Sequence, residues 1–304
     1  MVAAIPERRC TRYRWTNCPD GPTALTAATR PLALTLRSVT CGHGASRGGP
    51  PNGSPYGKPV GSPDGKPAGG PDGGNRFELV VDAFDVRRGD TVALVGPSGS
   101  GKSTLLDLLA LTLRPSGFDR FALVTRTAGT IDIGALWRNR DEDRLTSTRA
   151  EHVGYVLQQG GLLPFLSVRQ NMALGQAVLG RPDPVRIEAL AERLEIAALL
   201  DRAPATLSVG QRQRAAIGRA LAHRPEIVLA DEPTASVHPA LADTVLALLV
   251  EQARRDDTAL VLATHDPDRA ERHGFEIVRM EIETGQGGGR SLVCRVGDGA
   301  EVSA

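Results

Sequence analysis

Thr91-Val-Ala-Leu-Val95 runs directly into Gly96-Pro-Ser-Gly-Ser-Gly-Lys-Ser-Thr104, and this junction decides the fold. A short, continuous apolar run is the pattern of a parallel strand buried on both faces. After it, Gly96, Gly99 and Gly101 let the backbone curl with its N–H groups inward, and a helix starting near Lys102 adds the positive end of its dipole. Such a nest takes a triphosphate. Gly96, Pro97, Ser98, Gly99, Ser100, Gly101, Lys102, Ser103 and Thr104 are therefore the candidate nucleotide-binding residues. Lys102 brings a point charge to the β- and γ-phosphates, and the Ser103 hydroxyl suits Mg²⁺, which prefers phosphate oxygens to an all-protein cage. Lysine occurs only at positions 58, 66 and 102, so the motif is hard to reach by accident. By itself the motif leaves kinases, GTPases, helicases and transport ATPases open.

Composition narrows the classes. A chain of 304 residues, 41% of them hydrophobic, can bury the core of a large α/β domain. The formal net charge of +1, from 36 basic and 35 acidic residues, makes no field strong enough to draw polyanions, and no nucleic-acid partner is expected. The longest apolar stretches, Leu105 to Leu113 and Thr244 to Val250, are interrupted or short of the roughly 18 to 20 residues that a membrane span needs. Work at a membrane then calls for a partner chain. Arg8, Arg9, Arg12 and Arg14 precede no apolar core of the secretory kind, so a cytoplasmic location is expected. Cys10, Cys18, Cys41 and Cys294 show no C-x-x-C spacing and read as reduced thiols.

Along the chain, residues 1–31 are rich in Arg, Pro and Thr and read as a poorly ordered extension. An α/β domain is expected over 32–282. Leu32, Leu34 and Leu36 alternate with polar positions, the mark of a half-buried strand running to Val39. Residues 41–75 turn to Gly, Pro and Ser, with the near-repeat GSPYGKPV from Gly53 and GSPDGKPA from Gly61, and read as a flexible insertion. Phe77 to Val86 resumes strand character, and Phe121-Ala-Leu-Val124 reads as an added strand within Arg114 to Ala128. Glu226 to Ala230 and Ala259 to Ala263 have the pattern of central parallel strands. Helical periodicity covers Ile187 to Leu200 and Ala240 to Arg254. Residues 283–304 read as a C-terminal tail. The fold class is α/β, with a phosphate-loop core on a mostly parallel sheet.

Leu207-Ser-Val-Gly-Gln211 precedes the apolar periodicity of Ala215, Ile217, Ala220 and Leu221. Ser208 and Gln211 fit a capping box, which leaves further N–H groups of a helix start facing outward toward an anion. Val228-Leu-Ala-Asp231-Glu232 then sets two carboxylates at the carboxyl end of a buried strand, where ligands of open α/β sheets bind. Asp231 suits the Mg²⁺ shell, and Glu232 suits the orientation of an attacking water. His265 closes another strand, after Val261-Leu-Ala-Thr264. Gln158, after Val153-Gly-Tyr-Val-Leu157, carries an amide able to donate and accept beside water or metal.

The phosphate loop, Gln158, LSVGQ, ADEPT and His265, in this order, resemble the ATP-binding subunits of ABC transporters, from about Leu32 to Ile282. VGYVLQQGGLLPFLSVRQNM and ADEPT are similar to the lipoprotein-release and macrolide-export branch. The resemblance implies a core with an antiparallel β-subdomain and a helical signature subdomain over about 159–222. It implies catalytic Glu232, His265 and Gln158, metal contacts from Ser103, Gln158 and Asp231, and ATP and Mg²⁺ as cofactors. It also implies a homodimer in which Ser208, Gly210 and Gln211 of one subunit meet the nucleotide of the other, docked on transmembrane permease subunits at the inner face of the membrane. The sequence departs from the family at Val209, where a first glycine is usual, and at His238, where Asp is usual. The aromatic that stacks on adenine falls near His43, with Tyr56 and Phe77 as alternatives. A soluble regulatory ATPase and a low-turnover nucleotide-binding scaffold are the competing readings; intact Lys102, Glu232 and His265 oppose the scaffold.

Overall fold

The computed structural model describes residues 30–43, 77–158, 160–235, 239–285 and 288–294. The extension up to residue 29, Tyr56 with the insertion over 44–76, His238, Cys10 and Cys18 lie outside them, as do the side chains of His43 and Phe77. Strands β1 (Leu32–His43) and β2 (Phe77–Arg87) pair antiparallel, and a turn at Gly89 leads into β3 (Thr91–Val95) and α1 (Lys102–Leu109). Then come β4 (Arg120–Thr125), β5 (Gly129–Asp132), α2 (Ile133–Asn139), α3 (Glu142–His152) and β6 (Val153–Val156). Helices α4 (Val168–Val178), α5 (Pro184–Arg193) and α6 (Val209–Leu221) follow, with two short 3₁₀ turns ahead of α6. The chain continues through β7 (Ile227–Asp231), α7 (Pro239–Arg255), β8 (Ala259–Thr264), α8 (Pro267–Arg272), β9 (Glu276–Gly285) and β10 (Gly288–Cys294). No helix among the described residues is long and apolar enough to cross a membrane.

The described strands form one sheet in the order β5-β4-β1-β2-β10-β9-β3-β8-β7-β6. It is parallel from β9 through β6 and largely antiparallel on the other side, where β10 joins the halves by pairing parallel with β2 and antiparallel with β9. The expected parallel core and antiparallel subdomain are thus parts of one mixed sheet. In the parallel half, alternate side chains divide between two cores. Val92, Leu94, Leu229 and Val261 pack with α1, while Ala93, Val95, Leu262 and Val228 pack with α6 and α7. A strand covered on both faces has no polar side to show, which explains the unbroken apolar runs. Glu226, 4% exposed, accepts the Arg126 N–H at 2.6 Å and lies 3.5 Å from the guanidinium groups of Arg88 and Arg126, so one buried charge ties three loops at the amino ends of the strands.

Four expectations are corrected. The strand from Leu32 runs on to His43, so the Gly/Pro/Ser-rich insertion starts later than residue 41. The helix expected over Ile187 to Leu200 ends at Arg193: Glu195 takes φ 55°, the Ile196 N–H turns back to the Ala191 carbonyl at 2.8 Å, and a 3₁₀ turn follows. Leu194, Ile196 and Leu200 stay buried on both sides of the break, so the apolar spacing survives although the helix does not. The tail expected from residue 283 supplies the end of β9 and all of β10. Finally, α2 and α3 were not anticipated. Each starts on an aspartate whose carboxylate accepts a backbone N–H of the first turn, Asp132 from Ala135 at 2.8 Å and Asp141 from Arg144 at 3.1 Å. Cys41 is buried and unbridged; burial, helped by Asp107, pushes its thiol up to about 11, so it stays protonated.

Gly154 on β6 packs against the end of α6 so closely that a Cβ there would lie 2.2 Å from the Ala220 carbonyl oxygen. Because that atom belongs to a buried helix and cannot swing away, Gly154→Ala is expected to cost about 1–3 kcal/mol, read from the midpoint of urea unfolding.

Candidate functional site

Three strand ends build the site. β3 delivers the phosphate loop, β7 delivers Asp231 and Glu232, and β8 delivers His265, so groups far apart in sequence share the carboxyl edge of adjacent parallel strands. Between them lies a cleft of about 420 Å³ lined by Ser98, Gly99, Gly101, Lys102, Ser103, Thr104, Glu232 and His265. Two glycines curl the loop, Gly99 at φ 80° and Gly101 at φ 93°, a region that costs a residue with a Cβ. Gly96 serves by smallness, since a Cβ would sit 2.5 Å from the Met280 carbonyl oxygen. The Ser100 N–H closes a turn on the Pro97 carbonyl at 3.2 Å, and Ser100 itself is fully buried. Gly101 caps α1 without a side-chain hydrogen bond, which leaves N–H groups of the first helical turn open to the cleft.

Lys102 is 6% exposed, and its Nζ donates to the carbonyls of Gly96 at 2.8 Å and Pro97 at 3.1 Å. Burial lowers its pKa; the carboxylates of Glu232 and Asp231 act in the opposite sense. The Asp231 carboxyl is pushed up mainly by burial, against a hydrogen bond from the Ser103 hydroxyl; Glu232 adds to the rise, and Lys102 and His265 oppose it. Glu232 adopts φ 44°, an unusual backbone for a residue with a side chain, held by its N–H on the Ala263 carbonyl at 3.0 Å and its own carbonyl accepting from Ala235 at 3.0 Å. That turn sets its carboxylate 2.6 Å from Nε2 of His265. The arrangement joins a cation and open N–H groups for an anion to a carboxylate paired with an imidazole, the parts needed to bind a phosphate chain and orient water.

Two expected members stand apart. β6 ends at Val156, and Gln158 sits exposed in the following turn, outside the residues that line the cleft. β6 is two strands beyond β8, at the sheet edge, so its end does not face the loop directly. Ser208 and Gln211 form the expected capping box at the start of α6, with Gly210 between them: the Gln211 N–H donates to the Ser208 hydroxyl at 3.3 Å, and the Ser208 N–H donates to the Gln211 side chain at 2.9 Å. Ser208 is exposed and Val209 is 43% exposed, so this helix end is open to a second molecule. The backbones of His43 and Phe77 pair at the open end of β1 and β2. The closing Met280 carbonyl against Gly96 was missed in the sequence; a glycine beginning the loop was its sole signal.

The ABC transporter family matches residues 81–235. The chain is similar to the lipoprotein-releasing system ATP-binding protein LolD 1 of Rhodospirillum rubrum, at 40% identity over 191 residues covering 62% of this chain and 80% of that protein. It is also similar to the uncharacterized ABC transporter ATP-binding protein YbbA of Escherichia coli strain K12, at 38% identity over 191 residues, covering 62% and 79% of the two chains. Among solved structures, the dimer of an ATP-binding cassette in a post-hydrolysis state bound to ADP and Pi matches with a TM-score of 0.59 and 26% identity, over 81% of this chain and 93% of that one.

The raised pKa of Asp231 sets a pH-dependent stability. A carboxyl that holds its proton more tightly when folded favours the fold below its unfolded pKa, and that contribution is lost as pH rises through the folded value. At neutral pH, above its unfolded value, Asp231 therefore opposes folding. Asp231→Asn, which keeps an acceptor for Ser103, is expected to raise the Tm of the nucleotide-free chain by about 2–4 °C at pH 7, with the gain fading below about pH 4. Scanning calorimetry at both pH values checks this.

Proposed function

The chain belongs to the ABC transporter family as an ATP-binding and ATP-hydrolysing subunit, and on that premise we propose how its residues divide the work. The triphosphate lies along the loop from Gly96 to Thr104. Lys102 exchanges the carbonyls of Gly96 and Pro97 for the β- and γ-phosphates, which offer its ammonium a full charge in place of two dipoles. Glu232 orients the attacking water, and His265, already beside it, keeps the carboxylate facing the γ-phosphate. Ser208 and Gly210 of a second copy complete the site from the far side, the open start of their helix meeting the γ-phosphate. Loss of that phosphate removes a bridge between two surfaces, so binding closes the pair and hydrolysis reopens it.

The observation that carries this reading is the meeting of Lys102, Glu232 and His265 around one cleft at the strand ends. Mg²⁺ fits the donor set. Ser103 and Asp231 are hard oxygen donors already joined by a hydrogen bond, and no cluster of three or more His, Cys, Asp or Glu among the described residues makes a rival cage. When bound, the ion would neutralise charge on the phosphates; Ser103 and Asp231 would hold it, and Gln158 would join its shell only on moving in from its exposed turn. The likeness to lipoprotein-releasing ATP-binding proteins supports permease partners of that class, with this chain held at the inner face of the membrane through them. The membrane protein that co-purifies with the chain identifies the partner.

Lys102→Ala removes the charge-assisted contacts to phosphate and is expected to weaken ATP binding by about 10- to 100-fold in equilibrium titration. Undiminished binding refutes the loop assignment. Glu232→Gln keeps the shape but not the basicity, so turnover should fall by about 10²- to 10⁴-fold while ATP-dependent dimers persist in size-exclusion chromatography. Dimers that turn over normally rule out Glu232 as the group that orients water.

A further inference from the structure

Among the described residues, the Arg219 side chain fastens the turn after β6 to α6. Arg219, two residues before the end of that helix, donates through Nη1 to the Gly161 carbonyl at 2.7 Å and through Nη2 to the Gly160 carbonyl at 3.0 Å. Gly160 and Gly161 both have positive φ, 73° and 59°, a pair of conformations that a residue with a Cβ adopts at a cost. The Gly160 N–H closes the turn on the Leu157 carbonyl at 2.9 Å. Facing Gly160 on α6 are Arg212, Gln213 and Ala216, which with Arg219 lie on one side of the helix. Gln213 beside this turn is buried, 4% exposed, and its Nε2 has no hydrogen-bond partner among the described residues. Further along the same loop, Asn171 of α4 is wholly buried and holds Leu163 through both its N–H and its carbonyl, at 2.8 and 3.0 Å. Gln176 of α4 in turn donates to the Ala222 carbonyl at the end of α6 at 2.9 Å.

We propose that Arg219 is a positioning residue which makes the Gln158 turn and the Ser208 end of α6 move as one piece. This rests on the proposed division of work, in which Gln158 and Ser208 both serve the nucleotide. Gln158 stands outside the cleft, and the carbonyls that follow it are gripped by a helix whose opposite end is the exposed signature turn. A planar guanidinium with two parallel donors fixes the orientation of two carbonyls at once, where a lysine would reach one. The Gln158 amide therefore does not swing into the cleft alone. It arrives when the body formed by α4, α6 and the clamped loop rotates, which is the motion that also brings Ser208 to a partner's nucleotide. Arg219 touches no substrate, and its effect on turnover passes through Gln158.

The test compares the full chain with Arg219→Ala and Arg219→Lys. In nucleotide-free hydrogen exchange, Arg219→Ala should speed exchange of peptides over 160–166 by about tenfold while α6 stays protected, with partial rescue by Arg219→Lys. In a double-mutant cycle on kcat, Arg219→Ala alone should lower turnover by about tenfold with the KM for ATP within about twofold, and should cost nothing further in a Gln158→Ala background. Independent, multiplying losses overturn the proposal. So does unchanged exchange over 160–166, or loss of protection throughout the chain in both Arg219 variants. A wild-type chain that turns over no ATP refutes the ATPase reading instead, and exchange over 160–166 then decides the clamp alone.

Discussion

An almost buried ammonium group at Lys102 is the constraint around which the site is arranged. A charge taken out of water must be met by fixed partners, and here these are two carbonyls of the loop itself, with the carboxylates of Asp231 and Glu232 adding their field. Those carbonyls face inward because Gly99 and Gly101 take conformations that other residues resist and because Gly96 leaves room for the Met280 carbonyl. The carboxylates stand where they do because parallel pairing of β3, β8 and β7 brings the strand ends into register. Burial, glycine and parallel pairing are thus one requirement seen at three scales. The raised pKa of Asp231 and the left-handed backbone of Glu232 show that the nucleotide-free fold carries a cost at these positions.

The central strands and the loop were legible in the sequence because burial on both faces leaves no polar residue in VALV, IVLA or ALVLA, and because glycines at that spacing before a lysine are the mark of a backbone that must curl around an anion. The capping box at Ser208 was legible for the same local reason: both halves of the contact lie within four residues. What escaped the reading is nonlocal or depends on one backbone angle. Nothing in Ile187 to Leu200 announces that Glu195 breaks the helix, since the buried leucines keep their spacing across the kink. β10 lacks an apolar run and is recruited through backbone pairing with β9 and β2. Helices α2 and α3 did leave signals, Asp132 and Asp141 before them and Glu142 and Asp143 in the first turn of α3, but α3 is so polar that periodicity alone missed it. Gln158 was identified by pattern, whereas its distance from the cleft depends on the position of β6 at the sheet edge.

The helical part of the chain is tied to the sheet through a shared apolar core, in which Val168, Met172, Ile217 and Leu221 pack with Val156, Val228 and Ala230, and to itself through polar contacts as well. Asn171, Gln176 and Arg219 bind α4, α6 and the intervening loop to one another through backbone carbonyls. Toward the core, a buried ion pair links Arg186 of α5 to Asp256 beyond α7, and the end of α6 rests on Gly154.

The sheet itself ends at β5 and β6, each of only four residues, Gly129–Asp132 and Val153–Val156. A rim so short offers an incoming strand little free amide and carbonyl to copy, which matters for a molecule whose working life consists of meeting its own kind. Such short ribbon margins deny stacking copies the long ladder along which fibres grow, and leave the pairing of subunits to other surfaces.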